Sequence, residues 1–121
     1  MWKNILLVGA GSFVGGALRY MVSLWLKYSG GFPWETFAVN MLGCLLIGLL
    51  WGLFCRYSNV SQQLVLMLSV GFCGGFTTFS TFSKESLQLI QSGNWMYLAL
   101  YLLGSIVLGL LLVAIGYQIA K

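Results

Sequence analysis

Val70 to Ser83 reads VGFCGGFTTFSTFS, and the fold turns on how that stretch is read. The chain around it is almost uniformly apolar. Within it, three glycines, four phenylalanines and a run of threonines and serines crowd together without a single charge. The pair Gly74–Gly75 is a strong helix breaker, so the stretch predicts an interruption near residues 74–78. An interruption frees backbone N–H and C=O groups, and in hydrocarbon each unsatisfied group is costly. A break is tolerable there when it is buried in protein, hydrated or bound to an ion, and discontinuous membrane helices often serve as ion sites. The plainer reading is a packing kink sealed by the hydroxyls of Thr77, Thr78 and Thr81.

Composition says that lipid is the solvent. Of 121 residues, 60% are hydrophobic and 7% charged, with a mean hydropathy of +0.92; a soluble domain carries about 25% charged residues. Four apolar segments stand out, at about 5–26, 36–55, 63–90 and 95–120, and the third contains the interruption. About 20 helical residues cross the hydrocarbon layer. Trp34, Trp95, Tyr28 and Tyr57 lie near segment ends, where amphipathic rings favour the headgroup region. The expected architecture is an all-α membrane protein, one unit over residues 1–121, with four transmembrane helices and the third broken near its middle.

The same inventory excludes other classes. Histidine and aspartate are absent, and Glu35 and Glu85 are the only acids, so the acid–base pairs of most enzymes cannot be assembled. Glu35 is expected at the interface beside Trp34, and Glu85 beside Lys84, neither in mid-membrane. Cys44, Cys55 and Cys73 lack zinc-ligand spacing and read as small buried thiols. Six basic residues stand singly, without the stripe that nucleic acid requires.

Four spans place Lys3, Arg56 and Lys121 on one side and Lys27 on the other. Arg19 and Lys84 lie in or near spans on that second side. The asymmetry is too small to choose an orientation. It fits insertion both ways, which permits an antiparallel dimer, and equally a single topology with a weak signal. Gly11 and Gly15, Gly48 and Gly52, Gly71 and Gly75, and Ser105 and Gly109 are spaced four apart. Small residues so spaced let helices approach closely, within a subunit or between subunits. Four helices make a thin bundle to enclose a polar pathway and its walls, so an oligomer is expected.

Phe76, Phe79 and Phe82 recur every third residue and are predicted to share a helix face, alternating with Ser80, Thr81 and Ser83. A phenyl ring has a positive edge; edges turned inward would receive a small anion without trapping it, as conduction requires. The alternative is a packing or lipid-facing stripe. Arg19 forms an electropositive vestibule or snorkels to the interface. Asn40 donates to an anion or cross-links helices. Tyr101 and Ser105, four apart, make a hydroxyl track or interhelical glue.

These pieces resemble the Fluc (CrcB) fluoride channels, small four-span bacterial membrane proteins. The resemblance lies in GGALRY (Gly15 to Tyr20), FAVNMLGCLLIG (Phe37 to Gly48), GFCGGFTTFSTFS (Gly71 to Ser83) and, weakly, LGS (Leu103 to Ser105). It implies an antiparallel, dual-topology homodimer in the bacterial inner membrane, with two pores along the subunit interface. Fluoride, having entered the cell as neutral HF, would leave passively down its gradient. By the same resemblance Phe79 and Phe82 line the fluoride path, with Asn40 in the pore, Arg19 in the vestibule and Ser80 and Thr81 beside the path. Tyr101 and Ser105 would form the fourth-span polar track. The backbone carbonyls of Gly74 and Thr77, from both subunits, would hold a structural sodium ion. A small dual-topology multidrug transporter is the rival reading; it needs a carboxylate in the first span, and none is present.

Overall fold

The computed structural model describes residues 1–26 and 31–121, so the expectations for Lys27 and Tyr28 lie outside the described residues. The described residues form α1 (Trp2–Trp25), α2 (Trp34–Arg56), α3 (62–76), α4 (Ser80–Gln91) and α5 (Trp95–Ala120). α3 and α4 together make one interrupted span, giving four stretches long and apolar enough to cross a membrane. The polypeptide is therefore an all-helical, multi-pass membrane protein.

The helices pack as two intimate pairs that are not neighbours in sequence: α1 with α3, and α2 with α5. Glycine explains both. A Cβ added at Gly75 would stand 2.7 Å from the Ser12 carbonyl oxygen, and one at Gly15 would be 2.8 Å from the Phe76 nitrogen. In the other pair, a Cβ at Gly116 would be 2.7 Å from the Leu45 oxygen and one at Gly52 2.7 Å from the Tyr117 oxygen. Backbones in lipid gain their contact by approaching this closely. The three glycine pairs of the sequence are thus spent inside one chain, and they lend no weight to an oligomer.

The interruption does not fall at the glycines. α3 widens into π-helical turns over Leu66–Cys73, then continues as α-helix through Gly74 and Gly75 to Phe76. Gly75 stays helical because its bare Cα is what seats α3 on α1. The ladder breaks at Thr77, whose ψ of 159° is extended, and α4 starts afresh at Ser80.

That extended link resets the helical phase, so the expected common face of Phe76, Phe79 and Phe82 is not formed. Phe76 is buried and stacks on Phe72 with ring centroids 5.9 Å apart. Phe79 is 79% exposed. Phe82 leans on Tyr101 at 4.8 Å, in a cluster with Leu89 and Leu98. The thiols also differ from one another: Cys73 is buried, Cys44 partly so, and Cys55 exposed.

Candidate ion pathway

The geometry of the site begins with the hydrogen bonds that the break releases. In an unbroken helix the Thr78 N–H would donate to the Gly74 carbonyl, four residues back. Here it donates to Asn40 Oδ1 at 2.9 Å, while Asn40 Nδ2 donates to the Thr78 carbonyl at 3.1 Å. The Asn40 amide therefore grips the Thr78 peptide from both sides, the cross-linking role left open by the sequence, with one N–H to spare. Arg19 reaches the same segment from α1, its Nε donating to the Gly75 carbonyl at 3.3 Å. The Thr77 hydroxyl caps the Cys73 carbonyl at 2.8 Å. Thr78 Oγ1 accepts from the Thr81 N–H at 3.3 Å and starts α4. Among the described residues, nothing donates to the carbonyls of Gly74 and Thr77.

Around this segment α2, α3, α4 and α5 leave a cavity of about 500 Å³. Asn40, Gly74, Thr77, Thr78, Phe79, Phe82 and Ser105 line it, together with the aliphatic and sulfur side chains of Met41, Cys44, Ile47, Cys73 and Ile106. Among the described residues, no charged one does. The Phe79 and Phe82 rings lie 6.0 Å apart at 39°. Ser105 Oγ is buried without a hydrogen-bond partner among the described residues. A smaller cavity of about 50 Å³ adjoins, lined by Arg19, Ser23, Glu35, Thr36, Val39, Thr78 and Thr81. Thr78 borders both.

The predicted residues are thus divided. Asn40, Phe79, Phe82, Ser105, Gly74 and Thr77 meet at the large cavity, and Arg19 and Thr81 at the small one. Ser80 is exposed and borders neither. Tyr101 is 0% exposed and lines neither; its hydroxyl donates to Glu85 Oε1 at 3.3 Å. Glu85, expected beside Lys84, is 5% exposed and turned into the bundle towards Tyr101, while Lys84 is exposed. Adjacent residues on a helix point in different directions. Thr78 is the residue that sequence reasoning left in a purely sealing role. Its signal was spacing: it stands four after Gly74 and three before Thr81, where a hydroxyl intercepts a helix's first N–H groups.

The sequence pattern of the family described as "CrcB-like protein, Camphor Resistance (CrcB)" matches residues 6–117. This chain belongs to the CrcB family. The CrcB match takes in the second and third spans, most of the first and fourth, the break and every residue lining the large cavity. Among curated relatives, "Fluoride-specific ion channel FluC" of Chlorobium phaeobacteroides is 52% identical, covering 99% of this chain and 94% of the relative. The protein of the same name from Phocaeicola vulgatus is 48% identical over 98% of this chain and 99% of its own length. A third, from Chlorobaculum tepidum, is 48% identical over 98% and 95% respectively. These names denote an ion channel and not an enzyme.

Proposed function

We propose that the chain is a fluoride-selective channel that lets fluoride leave the bacterial cytoplasm passively across the inner membrane. The observation that carries this reading is the uncharged cavity at the break, where phenyl rings, an amide and an orphaned hydroxyl converge. A small, strongly hydrated anion entering it exchanges water for the free Asn40 N–H, the Ser105 hydroxyl and the positive ring edges of Phe79 and Phe82. None of these is a fixed charge, so binding stays weak enough for release. Arg19, at the adjoining cavity, raises the local anion concentration without lining the large cavity itself.

The active form in this reading is an antiparallel, dual-topology homodimer with two pores along the shared interface. Support comes from what the single chain leaves open. Phe79 is largely exposed, and a Cβ at Gly74 would meet nothing described within 4 Å, so this surface is free for a second copy. The carbonyls of Gly74 and Thr77 fit a cation, because they are oxygen donors without a hydrogen-bond partner among the described residues. Contributed by both copies, they would hold a structural sodium ion that fixes the crossover of the two broken helices.

The test is flux from liposomes loaded with fluoride or chloride under an ionophore-set potential. Fluoride should discharge rapidly and chloride remain trapped; equal discharge of both, or of neither, would overturn the reading.

A further inference from the structure

Thr78 and Asn40 share a task that neither the pathway nor the helix requires by itself. A continuous helix through this segment would consume both carbonyls assigned to the cation: Gly74 O would take the Thr78 N–H, and Thr77 O the Thr81 N–H. Each of those N–H groups is drawn elsewhere. The Thr78 N–H goes to Asn40 Oδ1 at 2.9 Å, and the Thr81 N–H to Thr78 Oγ1 at 3.3 Å. Between them, the Gly75 carbonyl is occupied by Arg19 Nε and the Thr78 carbonyl by Asn40 Nδ2. We propose that Asn40 and the Thr78 hydroxyl are decoy acceptors: they capture the two N–H groups that would otherwise silence Gly74 O and Thr77 O, and so create the cation site. Both are positioning residues towards sodium, and neither touches it. Thr78 is the sharper case, because its hydroxyl holds no other backbone group among the described residues; its remaining contacts there are with the hydroxyls of Ser80 and Thr81.

The inference rests on the sodium limb of the proposed function, so its test reads sodium without reading fluoride. Purified protein in detergent is melted over a series of sodium concentrations, with N-methylglucamine as the replacing cation. Wild type should be stabilised by sodium with a saturable midpoint. Thr78→Val keeps the shape and removes the acceptor, leaving the Thr81 N–H free to return to Thr77 O; its sodium midpoint should rise about tenfold, the scale of one exchanged hydrogen bond repeated in two subunits. Thr78→Ser should restore the wild-type midpoint. If Thr78→Val does not fold, Thr78→Ala with Thr78→Ser makes the same comparison. A Thr78→Val or Thr78→Ala midpoint equal to wild type overturns the decoy role while leaving the sodium site standing. A wild type indifferent to sodium overturns the site and the decoys together.

Discussion

Ser105 carries a buried hydroxyl with no partner among the described residues, an arrangement that normally costs stability. If its use is to donate to a passing anion, Ser105→Ala should move two measurements in opposite directions. Melting should stay level or improve by the equivalent of about 1 kcal/mol, since an unsatisfied group is removed. Fluoride discharge should slow. Lost stability with unchanged flux would make Ser105 a packing residue. Phe79 poses a simpler question, because its ring is mostly exposed and contributes little to the interior of the chain. Phe79→Ile should therefore leave folding intact while sharply slowing fluoride flux; wild-type flux would return the ring to lipid or to a neighbour. Tyr101 differs again. Buried against Leu89 and Leu98, it supplies the hydrogen bond to the buried Glu85 carboxyl. Tyr101→Phe should lower stability by about 1–3 kcal/mol, the cost of stranding a buried polar group, and Tyr101→Phe combined with Glu85→Gln should cost no more than the single change.

At the scale of elements, the seam between α1 and α3 is sterically exacting, with Gly11, Gly15, Gly71 and Gly75 all in backbone contact across it. Gly75 lies so close to Ser12 that Gly75→Ala must push the helices apart, at about 1–3 kcal/mol. Gly74→Ala meets nothing described within its own chain. A melting comparison of the two in sodium-free detergent should show Gly75→Ala clearly less stable and Gly74→Ala near wild type; equal losses would mean that the second copy packs on Gly74. The same seam shows where a sequence can and cannot be read. The four spans were legible because length and apolarity alone decide that a helix crosses lipid. The extended link begins at Thr77, inside the interval 74–78 that the glycine pair marks but not on the glycines themselves: the contact with Ser12 holds Gly75 helical, and Asn40, 38 residues away, pulls Thr78 out of the ladder. The common phenylalanine face failed for a related reason: periodicity holds only while the helix is continuous. Sequence proximity points Glu85 to Lys84, and the partner it finds lies 16 residues further on. Asn40, Phe79, Phe82 and Ser105 are grouped by the family resemblance, because residue type and spacing leave each of them a packing role as well; the structure sets all four around one cavity.

At the scale of the whole molecule, the charges that give no clear orientation belong with the proposed antiparallel pair. Reporter domains fused to the C-terminus, one active only in the cytoplasm and one only outside it, should both show activity in cells. Activity of one alone would remove the antiparallel pair. The pairing of α1 with α3 and of α2 with α5 bears on how such a chain is made. The first two helices barely touch each other, so the α1–α2 hairpin that leaves the ribosome first lacks the seam partner of either helix. α1 gains its glycine contact only when Gly71 and Gly75 have been synthesised, and α2 only when Gly116 has. Tertiary packing is thereby postponed to the third span for α1 and to the last helix for α2, and the half-made protein is held by the insertion machinery and the lipid alone.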